Sequence, residues 1–162
     1  PTAGLHFTPE ILDSISSRGV EILEVTLHVG LGTFKPIEKE DIREHNMHSE
    51  YFSISSNSLS KLQSFKKSRR PIICLGTTSV RVLETLAQNN FENNSGWTDL
   101  FIYPPYNFSM VQGLFTNFHL PKSTLLIMVS AFYGRKKLLE AYCAAVEEKY
   151  RFFSYGDCML IL

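Results

Sequence analysis

Polar and apolar residues alternate along residues 111–120, which is typical of a β-strand with one face in the core. The pattern places a polar pair, Asn117 and His119, on one face beside Phe115. The opposite face carries Leu114, Thr116, Phe118 and Leu120. Asn117 and His119 are therefore expected on the face opposite Thr116, where they are candidate active-site residues.

A helix is predicted directly after this strand. Pro121 ends the strand, and Ser123 or Thr124 can cap the apolar run that predicts a helix near 123–133. A strand that leads into a helix start brings polar side chains and free backbone N–H groups to one place, and such places bind anions. The sequence therefore predicts a ligand site at this junction.

A second junction of the same kind follows residues 71–76, which form a short buried strand by their pattern. A helix is predicted near 77–88, and its expected caps are Thr77, Thr78 and Ser79. Gly76 allows a close backbone approach, but one glycine matches neither the dinucleotide-binding fingerprint nor the P-loop. An ordinary helix cap is the alternative interpretation. We expect both junctions to face one pocket, because α/β sheets bind ligands beyond their strand ends.

The first part of the chain predicts a short helix and a glycine-rich strand. The helix is expected near 9–18, where a threonine and a proline stand at its start. A strand is expected near 20–29, and its alternation places His28 on the face away from the core or on a cleft. Gly30 and Gly32 then weaken the strand, which usually indicates a bulge or the close approach of a ligand.

Strands that alternate with helices predict an α/β layered domain with a central mixed sheet flanked by helices. Strands are expected near 20–29, 71–76, 99–103, 111–120 and 151–161. Helices are expected near 9–18, 77–88, 123–133 and 136–149. A chain of 162 residues can bury one core, so 1–162 is expected to form a single domain.

Charge and composition exclude fewer functional classes than these motifs do. Sixteen basic residues balance sixteen acidic ones, so net charge gives no support for RNA binding. A basic run without an acid suits either RNA contact or solvated surface; it contains Lys61, Lys66, Lys67, Arg69 and Arg70. No apolar run has membrane-spanning length, and the cysteines and histidines show no metal-ligand spacing. We expect a soluble cytoplasmic protein that needs no metal.

Seven segments resemble, in order, successive motifs of one protein family. They are residues 1–8, 27–34, 47–51, 76–84, 103–106, 113–130 and 150–157. The family is that of the S-adenosylmethionine:tRNA ribosyltransferase-isomerases of queuosine biosynthesis. The resemblance runs from one end of the chain to the other and covers the C-terminal half of the family's length. We therefore expect the chain to be a fragment or a truncated copy.

This resemblance implies a reaction and its partners. Family members transfer and isomerise the ribosyl part of S-adenosylmethionine onto 7-aminomethyl-7-deazaguanine in a tRNA anticodon loop, giving epoxyqueuosine-tRNA, adenine and methionine. S-adenosylmethionine is a co-substrate, and no metal is implied. The expected partners are the tRNA and the N-terminal half of the enzyme, which is a monomer at full length and contacts no membrane. The family's inserted β-barrel domain lies earlier and is absent from this chain.

The implied reaction needs a base, because the sulfonium acidifies the C5′ hydrogens and one of them must be removed. Histidine has a pKa suited to proton transfer near neutrality, which makes His119, His28 and His6 the candidates. For each, a structural histidine held by backbone hydrogen bonds is the alternative. The helix start beside His119 should lower its pKa and favour the neutral imidazole. The sequence does not decide among the three.

The other candidate residues surround these motifs. Arg81 is close enough to the Gly76 loop to bind a methionine carboxylate, or it pairs with Glu84 on its own helix. The residues expected to contact S-adenosylmethionine are Gly76, Thr77, Thr78, Ser79, Arg81, Gly30, Gly32 and Asn117. Those expected to contact the tRNA substrate are Lys122, Ser123, Thr124, Asp157 and Tyr106. By resemblance, Asp157 would pair with the aminomethyl ammonium, and Tyr106 would either stack on a base or pack rigidly.

Two functions of other classes remain open. A nucleotide-binding enzyme of different chemistry would use the Gly76 loop for a phosphate, and phosphate-dependent binding would favour it. A non-catalytic remnant, inactive alone, would only bind RNA, a nucleotide or a partner.

Overall fold

The computed structural model describes residues 1–30 and 36–162, and an α/β arrangement is confirmed. The described helices are α1 (Pro9–Ser17), α2 (Ser56–Ser68), α3 (Thr77–Gln88), α4 (Thr124–Tyr133) and α5 (Arg135–Glu147). The described strands are β1 (Val25–His28), β2 (Glu50–Ile54), β3 (Ile73–Leu75), β4 (Ser95–Thr98), β5 (Gly113–Asn117) and β6 (Cys158–Ile161). Short 3-10 helices occupy Thr2–His6, Ile42–Glu44 and Phe153–Tyr155.

The strands divide between two sheets instead of forming one central sheet. The first sheet has the order β1-β2-β4, and both of its strand pairs are antiparallel. The second sheet has the order β3-β5-β6, in which β3 is parallel to β5 and β6 is antiparallel to it. The mixed sheet that the sequence predicts is therefore the second sheet, and the first is a separate antiparallel layer.

Three elements were not predicted: β2, α2 and β4. Strand β4 spans Ser95–Thr98, and the strand expected near 99–103 is wrong, because those residues are irregular and the serine and glycine that begin β4 have low strand propensity. The inward positions of β2 are Glu50, Phe52 and Ile54, and a buried carboxylate interrupts the apolar signal that identifies a strand. Helix α2 contains five serines and buries only Leu62, so neither propensity nor an apolar stripe indicated it. The hydroxyl of Ser55 caps α2 by accepting the N–H of Ser58 at 3.0 Å.

One cluster of buried apolar side chains joins the two sheets. Helix α3 contacts strands of both sheets and supplies its apolar face to this cluster. The other main contributors are Phe52, Ile54, Cys74, Leu114, Met128, Val129, Leu138 and Ile161. Helix α3 therefore packs against both sheets, and its first turn lies between them. No helix in the described ranges has the length and apolar character needed to cross a membrane.

Candidate functional site

A cavity of about 600 Å³ opens between the two sheets. Strand β1, the first turn of α3, the end of β5 and the N-terminal 3-10 helix all contribute to its walls. The end of β5 and the start of α3 meet here because β3 and β5 are parallel neighbours. The junction between β3 and α3 lines the cavity through residues 76–79. The junction between β5 and α4 contributes Asn117, His119 and Leu125 instead of residues 121–124.

Gly76 makes the sharp turn between β3 and α3. Its φ angle is +85° and its ψ angle is 152°, a region that essentially only glycine occupies. A Cβ atom at this position would lie 2.5 Å from the Cβ of Pro1. Its N–H donates to the carbonyl of Phe115 at 2.8 Å, which ties the turn to β5. Pro1 can therefore pack against residue 76 in the cavity wall only because that residue is a glycine.

We expect Gly76→Ala to lower the free energy of unfolding by about 1–3 kcal/mol for the backbone strain, and by more for the contact with Pro1. Urea denaturation measures this loss. Gly134→Ala is the matched control, because Gly134 also has a positive φ, +91°, but its added Cβ would meet nothing within 4 Å. If Gly76→Ala and Gly134→Ala lost the same free energy of unfolding, the contact with Pro1 would not contribute to the cost.

Helix α3 begins without a side-chain cap, contrary to the expectation that Thr77, Thr78 or Ser79 would cap it. The Ser79 hydroxyl instead donates to the carbonyl of Leu75 at 2.8 Å. The Thr78 hydroxyl is the one buried side-chain polar atom without a hydrogen-bond partner in the part of the chain that the structure describes. Residues 77–79 line the cavity, so the N–H groups of this turn and the Thr78 hydroxyl suit a polar or anionic ligand group.

His119 lines the same cavity and is only 9% exposed. Its Nε2 lies 2.8 Å from the Oγ1 of Thr116, and its backbone N–H donates to the hydroxyl of Tyr142 at 2.8 Å. Burial lowers the pKa of His119 to about 4, so the ring is neutral near pH 7. The neutral form was expected, but the cause is burial and not the neighbouring helix start.

The contact between Thr116 and His119 corrects the strand pattern. Alternation placed these two side chains on opposite faces, but β5 ends at Asn117 and the chain then leaves the strand. Strict alternation holds only while the backbone is extended, so the prediction fails at that residue. The three polar residues Thr116, Asn117 and His119 consequently line one cavity.

Asn117 braces the cavity wall. Its Oδ1 accepts a hydrogen bond from the Thr2 hydroxyl at 2.9 Å, and its Nδ2 donates to the carbonyl of Asp157 at 3.3 Å. The amide thus connects the N-terminal 3-10 helix and the segment before β6 to the end of β5. Sequence reasoning did not select Thr2, or Phe153 on the opposite wall, since only the fold brings them to the cavity.

Arg81 has a different partner from the one expected. Its guanidinium forms an ion pair with Glu50, and both side chains are at most 3% exposed. It also donates to the carbonyls of Leu100 at 3.3 Å and Thr98 at 3.5 Å. Arg81 does not line the cavity, so binding a ligand carboxylate there would first require breaking this buried ion pair. The expected pairing with Glu84 is wrong.

Glu84 instead organises the loop before β5. Its carboxylate accepts backbone N–H groups at distances from 2.9 to 3.3 Å, donated by Ser109, Met110 and Val111. The hydroxyl of Tyr106 lies 3.4 Å from the same carboxylate and 3.2 Å from the Nε2 of Gln88. The Tyr106 ring packs on Phe108 and lies outside the cavity, so rigid packing is the interpretation that the contacts support.

Gly30, His28 and His6, which were also expected at the site, do not line the cavity. Gly30 donates its N–H to the Oε1 of Glu50 at 2.8 Å. His28 is exposed on β1 and faces away from the core, while His6 is half-buried at the end of the first 3-10 helix. Gly32 lies outside the described residues. The roles of His28 and His6 remain predictions.

The expected tRNA-contact residues near the junction between β5 and α4 also have other partners. The Ser123 hydroxyl caps α4 by accepting the N–H of Leu126 at 3.1 Å, as predicted for a helix start. Thr124 is buried and Lys122 is exposed. The Asp157 carboxylate pairs with Arg151 at 3.1 Å, and hydrogen bonds from Arg151 lower its pKa. Contact of these residues with tRNA remains a prediction.

The described residues contain no group of three or more His, Cys, Asp or Glu side chains placed to hold a metal ion. Their architecture defines an α/β protein with a ligand cavity at the ends of two parallel strands. A family model described as "Queuosine biosynthesis protein" matches residues 1–161. The chain therefore belongs to the queuosine biosynthesis protein family.

The similar proteins share one name. The S-adenosylmethionine:tRNA ribosyltransferase-isomerase of Sulfurihydrogenibium sp. (strain YO3AOP1) is 57% identical over 100% of this chain and 48% of its own length. The protein of the same name from Acetivibrio thermocellus is 56% identical over 99% of this chain and 48% of its own. The crystal structure of S-adenosylmethionine tRNA ribosyltransferase from Thermotoga maritima superposes with a TM-score of 0.81 at 45% identity, over 99% of this chain and 51% of that one. The chain thus spans about half the length of the curated relatives it matches.

Proposed function

We propose that this chain is the part of an S-adenosylmethionine:tRNA ribosyltransferase-isomerase that holds S-adenosylmethionine. The complete enzyme would transfer and isomerise the ribosyl moiety onto 7-aminomethyl-7-deazaguanine in a tRNA, giving epoxyqueuosine-tRNA, adenine and methionine. The shared name of the relatives supports this proposal. The observation that carries it is a cavity that combines an uncapped helix start, the unpartnered Thr78 hydroxyl and a neutral His119.

The lining of the cavity fits this co-substrate. Among the described lining residues no side chain is a carboxylate, a lysine or an arginine, and most of the lining is apolar. Apolar walls suit the adenosyl group, because ligand pockets are mainly hydrophobic with a few placed polar groups. The N–H groups of the first turn of α3 and the Thr78 hydroxyl suit the carboxylate of the methionyl group.

We assign the base to His119, because it is the histidine that lines the cavity among the described residues. The sulfonium supplies an acidified C5′–H bond. His119 would take that proton, so that the C–H bond breaks and a ring N–H bond forms. Because Nε2 contacts the Thr116 hydroxyl, Nδ1 would take the proton, which requires that Nε2 carries the ring hydrogen and donates it to Thr116. A pKa of about 4 keeps the ring in the unprotonated form that a base requires, and it also makes the ring a weaker base than an ordinary histidine.

We also propose that the complete enzyme acts in the cytoplasm on its tRNA substrate.

We further propose that residues 1–162 fold as a single α/β domain. The apolar cluster that joins both sheets supports a single domain. Separate domains would each have a hydrophobic core of their own.

Binding of isotope-labelled S-adenosylmethionine to this chain, with and without the N-terminal half of a relative, tests the proposal. We expect Thr78→Val to weaken binding roughly fivefold, equivalent to about 1 kcal/mol for one neutral hydrogen bond. Thr8→Val is the matched control, because it removes the cap of α1 outside the cavity and should leave the affinity unchanged.

Two results would contradict the proposal. One is the absence of binding both with and without the N-terminal half. The other is competition by inorganic phosphate in place of S-adenosylmethionine analogues, which would indicate a nucleotide-binding enzyme of different chemistry.

A further inference from the structure

The face of the first sheet that points away from the core carries a row of three aromatic rings. His28, Tyr51 and Trp97 are paired in register across β1, β2 and β4. The ring centroids of His28 and Tyr51 are 5.8 Å apart, and those of Tyr51 and Trp97 are 5.6 Å apart. Trp97 is 68% exposed, and His28 is also exposed. We call these three residues the aromatic row.

Within β1, β2 and β4, the other residues of this face are uncharged. A second row in register beside the aromatic row carries hydroxyl groups, and its members are Thr26, Ser53 and Ser95. The opposite face of the sheet supplies the buried residues, such as Phe52 and Ile54. The aromatic row is therefore not needed to close the core, and cross-strand pairing alone does not require a tryptophan that remains mostly in water.

The aromatic row begins at the rim of the cavity. Strand β1 is an edge strand of its sheet, and Leu27 and Val29 on either side of His28 line the cavity. A ligand that extends out of the cavity past β1 therefore meets His28 first, and then Tyr51 and Trp97 on the neighbouring strands.

We propose that the aromatic row is a stacking platform for unpaired nucleobases of an RNA loop, next to the nucleotide whose base is modified at the cavity. The partner follows from the proposed function, on which this inference rests. Nucleobases in RNA loops are splayed out and stack on aromatic side chains, and antiparallel sheets present such rings to successive bases. The strand residues of this face include no carboxylate that would repel the phosphates of the loop. Stacking is tolerant of sequence, so this surface would hold loop bases without reading them.

Trp97 makes the proposal directly measurable, because it is the only tryptophan in the chain. The chain is titrated with a synthetic tRNA anticodon stem-loop while its intrinsic tryptophan fluorescence is recorded. We expect saturable quenching with the stem-loop and none with an RNA duplex of equal length. The tryptophan variants are compared by filter binding of a labelled stem-loop, which does not need the tryptophan. In this assay Trp97→Ala should weaken stem-loop binding about tenfold, equivalent to about 1.4 kcal/mol, and Trp97→Phe should restore most of the loss.

Two controls separate stacking from other effects. Ser95→Ala changes the same strand and the same face outside the aromatic row, and it should bind as the original chain does. The salt dependence of binding should be unchanged in Trp97→Ala, because stacking on a ring releases no counterions. Far-UV circular dichroism of each variant checks that the sheet is intact.

Four results would overturn the platform. They are unchanged fluorescence during binding, equal affinity of Trp97→Ala, no binding of the stem-loop, and protection of Trp97 from acrylamide in the full-length enzyme without RNA. The last would show that the remainder of the polypeptide covers the aromatic row. Labelled S-adenosylmethionine binding is measured in parallel, so that a failed platform with intact co-substrate binding leaves the proposed function standing.

Discussion

Replacing Arg81 with methionine is expected to lower the free energy of unfolding by about 3–5 kcal/mol, the cost of removing one partner of a buried ion pair. The affected partner is Glu50, whose side chain is 1% exposed and also accepts the N–H of Gly30. Urea denaturation followed by circular dichroism measures the loss. Because Arg81 does not line the cavity, we expect ligand binding to weaken only as far as the unfolded fraction of the protein increases.

The double variant identifies the cause of this loss. Adding Glu50→Gln to Arg81→Met removes the carboxylate charge that has lost its arginine but keeps an oxygen that can accept the N–H of Gly30. We expect the double variant to recover much of the stability, because a buried charge costs more than a buried amide. If the double variant were as unstable as Arg81→Met, the lost packing of the arginine side chain would explain the effect. Normal stability of Arg81→Met would contradict the buried pair altogether.

The ion pair also explains why β2 was missed and Arg81 was misassigned. Both errors concern one contact between residues 31 positions apart in the sequence. A helix rule that pairs residues three apart offered Glu84 as the partner, but tertiary structure supplied Glu50 from another element. The buried carboxylate in turn hid β2 from a pattern that searches for apolar alternation. Local patterns cannot identify a contact that only the fold creates.

The elements that the sequence predicted correctly are those that local chemistry determines. Thr8 caps α1 and Ser123 caps α4, because each hydroxyl needs only an N–H group three residues ahead. The junction at Gly76 could be located because a turn with this positive φ tolerates no other residue well. The cavity itself required the parallel pairing of β3 with β5, which brings two local junctions together. The sequence thus predicts the parts of the site, while topology decides which parts meet.

His119→Gln is expected to reduce turnover roughly 10²-fold or more, the usual contribution of a general base, in an enzyme that combines this chain with the remainder of a relative. Glutamine retains a side chain that can hydrogen-bond Thr116 but cannot take a proton. Binding of S-adenosylmethionine should therefore remain largely intact. Exchange of the C5′ hydrogens with solvent should be lost together with product formation, because both require the same proton transfer.

Two pH measurements separate catalysis from structure. With a pKa of about 4, His119 stays neutral above that value, so this group should cause no loss of activity between pH 8 and about pH 6. In the unfolded chain the ring protonates near its ordinary pKa of 6.5, so the free energy of unfolding should fall as pH drops from 6.5 toward 4. His119→Gln should remove that part of the pH dependence, whether or not the ring is catalytic. If C5′ exchange and product formation survived while the stability effect was removed, His119 would be structural, and the base would have to be His28 or His6.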